Sequence, residues 1–468
     1  MTVYNNLVHV YENHRKQWPQ IVSILISCFS GVVYGLSFAW TSPSIVKITQ
    51  DKENYNITEH EASYFTIIPY VATTLTILPL SYLNDIIGRK HTIMIMAIPC
   101  IIYWIIIIFA KSVYMFYLAR LFSGVTEFLF ISLLMYVGEI SSPTIRGTWG
   151  NALYFSVNVG ILLINVIGSY NTIQMTAYIC LGFCLVFVAI FPFIPDTPYY
   201  YIIKNKEQEA RTTLKWLYQE EDVEELYQSL KSDVHRQISE TGKWRDVFQI
   251  STNRKALITG FYMQVSLPFS GLTAFIVQSQ QLFQESGGEV SAEASAIIIT
   301  AIITATSLFA VLTADKLGRK NSFIGSCFLC MVLLFIGVVF FWTEQHHPNL
   351  VEGFHWLPLV IMVLFCIIHT IGIGTVGFLM MEELFSASIK TKALMLCTLS
   401  FGITGAINNE IFNLLLLNFG LYSAFLYFTF ACALLFILSF KLVPETSGKT
   451  LEEIQQDLKK NNNDNVVV

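Results

Sequence analysis

The sequence predicts an all-α membrane protein, with twelve transmembrane helices in two six-helix bundles. Three observations carry that prediction. Hydrophobic residues make up 54% of the 468 and charged residues only 13%, against roughly 25% charged in an average soluble domain. Apolar runs of about 20 residues, the length one helix needs to cross a bilayer, recur along the chain in two groups of six, and a mean hydropathy of +0.56 suits a chain divided between such helices and polar loops. Charged signatures recur at matching places in the two groups, as an internal repeat would have them.

Segment 1–20 is polar, carries His14, Arg15 and Lys16, and reads as a cytoplasmic N-terminus. The apolar run from Ile21 to Trp40 is too long for a signal-peptide core, so it remains as the first span. Runs at about 63–83, 92–110, 113–137, 149–168 and 176–195 complete an N-terminal bundle over 21–195. Segment 196–255 is dense in both charge signs and reads as a cytoplasmic linker of short water-exposed helices, since Glu207, Arg211 and Lys215 fall at four-residue spacing. Runs at about 256–283, 292–314, 321–342, 356–382, 392–414 and 421–442 form the C-terminal bundle over 256–442, and 443–468 is a cytoplasmic tail.

Short cytoplasmic loops accumulate Lys and Arg. With the N-terminus inside, the short inner segments hold fourteen such residues and the outer loops only Lys47, Lys52 and Lys111, which puts both termini in the cytoplasm. The sequon Asn56-Ile57-Thr58 then lies outside, making Asn56 a glycosylation candidate. A net charge of −5 offers nucleic acid no basic face. The nine cysteines fall in apolar stretches, where a thiol packs as a small hydrophobe. Cys327-x-x-Cys330 has no second ligand pair at metal-site spacing, so no metal is expected. With no nucleophile elbow or phosphate loop either, the sequence points away from an enzyme and from any cofactor.

The repeat is read from two pairs of signatures. Asp85-Ile-Ile-Gly88-Arg89-Lys90 follows the second span, and Asp315-Lys-Leu-Gly318-Arg319-Lys320 follows the eighth. Glu139 precedes Arg146 by seven after the fourth span, and Glu383 precedes Lys390 by seven after the tenth. Such a parallel repeat is the layout in which two bundles rock about a central site. The Arg and Lys in each tight turn can reach carboxylates and helix ends of the neighbouring loop. At a wet interface such bonds are worth about 0–1 kcal/mol each, and a network that weak is expected to hold the outward-open state and break when the inner side opens.

Two charges lie inside the fourth span, Arg120 and Glu127, where ionised side chains cost about 2.5–3.5 kcal/mol and need partners. Seven residues separate them, about 10 Å along a helix. In the fifth span Asn151, Tyr154, Asn158 and Asn165 form a polar stripe on an apolar helix, expected to face a water-filled path. In the seventh, Ser266, Ser270, Thr273, Gln280 and Gln281 share one arc, with Gln264 and Gln278 on the other side. Neutral donors and acceptors suit hydroxyl-rich solutes, whose carbon faces stack on aromatic rings. His369 reads as hydrogen-bonded packing, and Gly372, Gly374 and Gly377 allow a bend or close packing in the tenth span.

Further segments resemble the sugar porters of the major facilitator superfamily, the glucose-transporter-like group, and among them most of all the facilitated trehalose transporters of insects. These are Tyr136-Val-Gly138-Glu139 with Arg146-Gly147-Thr148, Pro195-Asp196-Thr197-Pro198, Ala39-Trp40-Thr41-Ser42-Pro43, and above all Pro444-Glu445-Thr446-Ser447-Gly448-Lys449-Thr450-Leu451-Glu452-Glu453-Ile454. The resemblance implies the major facilitator fold and solute movement by alternating access, with no covalent chemistry. Taken with the polar stripes and the repeated charged turns, it suggests solute contacts at Tyr154, Asn158, Ser270, Thr273, Gln281 and Phe378, and gating at Asp85, Arg89, Lys90, Glu139, Arg146, Asp315, Arg319, Lys320, Glu383 and Lys390. Where proton-coupled members carry an acidic residue near the arginine of the fourth span, this chain has Ser37, which favours a uniporter. The resemblance also implies trehalose or a hexose as solute and the plasma membrane as setting, and a monomer is expected to suffice. A proton-coupled symporter using Glu127 and a sugar receptor without transport are the alternatives. Hexose carriers usually have Gln at the Tyr154 and Leu267-Pro268 positions, Asn at Thr273 and Ile303, and Trp at Phe378, so the solute contacts here differ.

Overall fold

The computed structural model describes residues 2–142, 152–239, 244–287, 290–385, 389–447 and 453–454. Helices dominate because a chain in hydrocarbon must pair every peptide group within its own segment. Among the described residues, eleven helical stretches are long and apolar enough to cross a membrane: Trp18–Gln50, Glu59–Asn84, Arg89–Phe109, Val113–Ile140, Ala152–Tyr170, Ile173–Phe193, Ser251–Val277, Ala292–Ala310, Arg319–His346, Leu357–Met381 and Leu421–Leu442. A further 30-residue helix, Lys390–Phe419, packs along Glu59–Ile87 and completes the twelve. Asn408, Asn409, Glu410 and Asn413 lower its hydropathy, and the Asn408 and Asn409 amides donate back to Thr404 and Gly405 carbonyls, which makes those polar groups tolerable in the helix.

Three spans are interrupted, the first at the expected end of its apolar run and the seventh and tenth inside runs expected to be continuous. The first breaks between Thr2–Phe38 and Thr41–Gln50, with Pro43 in the first turn of the second piece, where its missing N–H costs nothing. The seventh runs as Ser251–Phe269, Leu272–Val277 and Ser279–Glu285. Gly271 makes its first break: φ is +93°, and a Cβ there would stand 2.8 Å from the Phe428 ring. The tenth passes from helix Leu357–His369 through the wide π-turn Thr370–Gly374 into Thr375–Glu383. Ser326 of the ninth span pins this turn, donating to the Ile368 carbonyl (2.9 Å) and accepting from Ile373 N–H (3.3 Å). Interrupted helices at membrane depth survive only where they line a cavity or are buried in protein.

Small residues set a close crossing of the first and fifth spans. Gly31 and Gly35 of the first span face Ser156 and Gly160 of the fifth; a Cβ on Gly35 would stand 2.2 Å from the Val157 carbonyl, and one on Gly160 2.2 Å from that of Val32. Between the bundles, Gly402 and Gly405 of the eleventh span lie against Thr74 and Tyr70 of the second, and Thr304 of the eighth donates to the Asn158 carbonyl of the fifth (3.1 Å).

The linker forms helices Pro198–Ile203, Glu207–Tyr218, Glu224–Ser239 and Trp244–Gln249 around a small core of Ile202, Ala210, Leu214, Val223, Tyr227 and Val234. Arg211 does more than pair with Glu207 on its own helix (3.2 Å): it reaches Glu224 of the next (2.9 Å) and lies over the Tyr227 ring. The hydrogen bond from Arg211 lowers the Glu224 carboxyl from 4.5 to about 2. A lowered folded-state value means the bond contributes above the ordinary carboxylate range and is lost as pH falls from 4.5 towards 2. The two linker helices are therefore expected to loosen over that interval in a Glu224-dependent way, with Trp216 fluorescence changing less in Glu224→Gln than in the wild type.

Candidate functional site

A cavity of about 490 Å³ lies between the bundles, within the roughly 300–1,000 Å³ of ordinary ligand pockets. Its wall is mostly apolar, with Phe38, Phe130, Leu267, Ile276, Phe378 and Phe401 among the lining residues. A few polar groups interrupt it: Tyr34, Glu127, Tyr154, Asn158, Gln264, Thr273 and His369. Tyr154 and Phe378 stand ring to ring at 4.9 Å, with Phe130 edge-on to Phe378 at 6.4 Å. Rings beside neutral hydrogen-bonding groups are what a solute with hydroxyls on an apolar carbon ring requires.

Of the six residues expected to contact solute, Tyr154, Asn158, Thr273 and Phe378 line this cavity, and Ser270 and Gln281 do not. The helical-wheel count assumed one continuous seventh span. Ser270 precedes the break at Gly271 and Thr273 follows it, so the counted arc does not keep one face across it: Ser270 lies against the His369 ring (2.7 Å), and Gln281 sits on the outer piece Ser279–Glu285. Gln264, assigned to the far side, faces the cavity instead. In the fifth span Asn165 also belongs elsewhere, accepting from Ser42 at 2.7 Å, and Asn151 lies outside the described residues.

At one end the cavity reaches the face bearing the Arg- and Lys-rich turns, where Arg89, Glu139, Tyr199 and Lys390 line it. At the other end the bundles touch. Thr41 donates to the Val277 carbonyl (2.8 Å), Ser42 and Ser279 share a hydrogen bond (2.7 Å), and Gln280 donates to Ser169 (2.7 Å). Lys47 braces this closure by donating to the carbonyls of Ser169 (3.0 Å) and Asn171 (2.7 Å).

The repeated charged turns form two matched clamps, each within its own bundle. Arg89 binds Glu139 at 2.9 Å and Arg319 binds Glu383 at 3.3 Å. The second oxygen of each glutamate accepts from a threonine at 2.6 Å, Thr197 in one bundle and Thr446 in the other. The acidic neighbours of these threonines cap the N-termini of the third and ninth spans: Asp196 faces Lys90 N–H (3.5 Å), and Glu445 takes Arg319 N–H (2.9 Å) and Lys320 N–H (3.2 Å). Lys90 and Lys320 reach the carbonyls of Pro192 (2.8 Å) and Phe440 (3.1 Å). These threonines and acids were missed as partners of the clamp. Their signal was present in Pro195-Asp196-Thr197 and Pro444-Glu445-Thr446, a third repeated element that lay unpaired among the family motifs.

The clamps also differ from weak wet bridges. Arg89 and Arg319 are buried, 6% and 7% exposed, so each charge-assisted bond is worth about 1.5–3 kcal/mol. Both stay formed while the cavity reaches the charged face, because neither crosses between bundles. Asp85 and Asp315 fall in the last turns of their helices, with side chains outside the described set, and Arg146 lies outside the described residues. Lys390 stands at the cavity mouth.

Arg120 and Glu127 do not pair. Arg120 donates to the carbonyls of Phe65 (2.8 Å) and Ser37 (2.9 Å) and approaches the Tyr103 hydroxyl (3.4 Å). Pro69 stands four residues after Phe65 and has no N–H to give it, and Ser37 ends a helix, so the guanidinium fills two vacancies in the backbone ladder. The Thr73 hydroxyl lies 2.7 Å from Glu127. A second void of about 20 Å³, large enough for a water molecule, separates the two charges.

Two bundles related by an internal repeat, discontinuous helices around a central chamber, and closure at one face define a membrane carrier. The chain belongs to the sugar (and other) transporter family, whose profile matches residues 11–458. It is 29% identical over 450 residues to the facilitated trehalose transporter Tret1 of Polypedilum vanderplanki, covering 94% of this chain and 88% of that protein. It is 29% identical to the Tret1 of Drosophila virilis, of which it spans about half (49%). Its fold resembles the proton:xylose symporter XylE bound to 6-bromo-6-deoxy-D-glucose, with a TM-score of 0.75 and 18% identity over 95% of this chain and 100% of that one. An inward-open conformation of XylE from E. coli matches at 0.73, with 17% identity over 93% and 99% of the two chains. The family is one of membrane transporters, not of enzymes.

Proposed function

We propose that this chain is a facilitative uniporter of a neutral sugar, trehalose or a hexose, working by alternating access. The observation that carries the reading is the chamber itself, where aromatic rings and uncharged hydrogen-bonding groups meet at the interruptions of the seventh and tenth spans. The trehalose transporters among its relatives favour trehalose. Uniport is supported by the bonding of Arg120, whose donors go to backbone carbonyls and not to a carboxylate of the first span. Proton symport is the second reading, favoured by Glu127, which lines the chamber and has no ion pair among the described residues. Radiolabelled uptake in oocytes separates them. Saturable flux of trehalose or a hexose that survives dissipation of the proton gradient under voltage clamp supports uniport; flux that collapses supports symport, and no saturable flux across the panel removes both.

The proposed setting is the plasma membrane with both termini cytoplasmic, and one chain contains the whole chamber, so a monomer suffices. Asn56 is exposed on the face opposite the charged turns, while Thr58 caps the second span with Glu61. A glycan at Asn56 is expected to give a mobility shift lost on glycosidase treatment and in Asn56→Gln; an unmodified Asn56 at the cell surface would count against this orientation.

In this reading the two clamps keep each bundle rigid while the bundles rock. Replacing both Arg89 and Arg319 with alanine is expected to lower uptake about tenfold or more at equal surface expression, each lost bond being worth about 1.5–3 kcal/mol. Uptake in the double variant is the check, and wild-type flux there would show that transport does not depend on clamped bundles.

A further inference from the structure

His369 ends the first helical piece of the tenth span, at the entry to the π-turn Thr370–Gly374. Single π-turns inside α-helices concentrate at functional sites. The residue is 1% exposed yet lines the chamber. Its Nε2 lies 2.7 Å from Ser270 Oγ, and the only hydroxyl proton of Ser270 is directed at the Leu267 carbonyl, also 2.7 Å away. At the shared contact the serine oxygen must therefore accept and Nε2–H donate. A neutral imidazole protonated at Nε2 presents Nδ1 as a lone-pair acceptor.

That Nδ1 has no hydrogen-bond partner among the described residues. Glycine at 374 keeps the space beside it clear: a Cβ there would stand 3.6 Å from Nδ1 and 3.3 Å from the Tyr154 hydroxyl. A buried, unpaired acceptor held in one tautomer, on a residue that lines the chamber and beside the same glycine as a phenol, is suited to a hydroxyl donor. We propose that His369 Nδ1 accepts a hydrogen bond from one hydroxyl of the carried sugar, with Ser270 as the positioning residue that fixes the tautomer and Tyr154 as the adjoining polar contact. The assignment rests on the sugar-carrier reading and adds to it the residue that selects among hydroxyl patterns. It also replaces the reading of His369 as packing alone: one nitrogen packs and the other recognises.

The test pairs variants with sugars lacking single hydroxyls. An Asn side chain sets its oxygen where Nδ1 stands, two bonds beyond Cβ, whereas Gln reaches the place of Nε2. Competition of monodeoxy trehalose and monodeoxy glucose analogues against the radiolabelled parent sugars is measured on purified protein, with uptake measured in parallel. For the wild type, removing one particular hydroxyl is expected to weaken binding about 2- to 12-fold, the worth of a neutral hydrogen bond. His369→Asn should keep that penalty and His369→Gln should lose it. Ser270→Ala, which frees the tautomer, should shrink it. Identical penalties in all four proteins for every analogue would overturn the assignment while leaving a working carrier intact. Binding with the expected pattern but no flux would overturn the carrier reading and leave the assignment standing. A protein that neither binds nor carries these sugars overturns both.

Discussion

Replacing Arg120 with leucine should leave little folded protein in detergent, the largest loss expected of any single substitution in the N-terminal bundle. The side chain is 2% exposed and satisfies the carbonyls of Ser37 and Phe65, which have no helical donor of their own. Leucine would fill the volume and leave both oxygens buried and unpaired, at about 1–3 kcal/mol each. It would also remove a cation lying over the Trp40 ring. Against the 5–15 kcal/mol that holds a typical domain together, a loss of about 2–6 kcal/mol should appear as a much lower melting temperature and an aggregated size-exclusion profile. Arg120→Lys should fall between, since a single ammonium lacks the rigid fork that serves two carbonyls on different helices. A leucine variant as stable as the wild type would show that the two helix interruptions need no guanidinium.

The second large effect is expected at Gly160. A valine there must place its Cβ 2.2 Å from the Val32 carbonyl and 2.9 Å from the Gly35 Cα. Those atoms are backbone on the facing helix, so relief requires the first and fifth spans to separate. Overpacking of this kind costs about 1–3 kcal/mol, and more where nothing can yield. The functional cost is expected to be larger, because Tyr154 and Asn158 ride on the same helix and would shift with it. Uptake should fall to background and thermal stability should drop together. Gly182 and Gly325, where an added Cβ meets nothing within 4 Å, supply the controls: alanine at either should leave both measurements near wild type. A silent Gly160→Val would mean that the crossing is looser than its geometry.

Much of this architecture was legible without coordinates because it follows from short-range rules. Hydrocarbon forces helix formation and sets its length, so apolar runs read as spans even where, as in Lys390–Phe419, internal asparagines blur the signal. The turns around Gly88 and Gly318 read as a repeat because both need left-handed backbone, φ +90° and +85°, between an acidic helix end and basic residues. The site was harder. Of the stripe on the uninterrupted fifth span, Tyr154 and Asn158 line the chamber and Asn165 bonds Ser42 instead; on the interrupted seventh span Thr273 and Gln264 line it, and Ser270 and Gln281 do not. A single left-handed glycine rotates everything beyond it, and Pro268-x-x-Gly271 does not by itself announce how far. The charges behaved similarly: Arg120 read as a charge in need of partners that the sequence did not name, and those partners were carbonyls freed by a proline and a helix end, which carry no charge to count.

The sequence by itself determined the class of protein, the number and limits of most spans, the two-fold repeat and the arginine and glutamate of each clamp, since each depends on composition or on spacing along one helix or turn. Only the tertiary structure decided which polar side chains share the chamber, that each clamp closes within one bundle, and that the unpaired nitrogen of His369 and the Tyr154 hydroxyl both lie beside Gly374. Those are contacts between helices far apart in the chain, set by where helices break and how closely glycines let them approach, and neither quantity is written in the local pattern of residues.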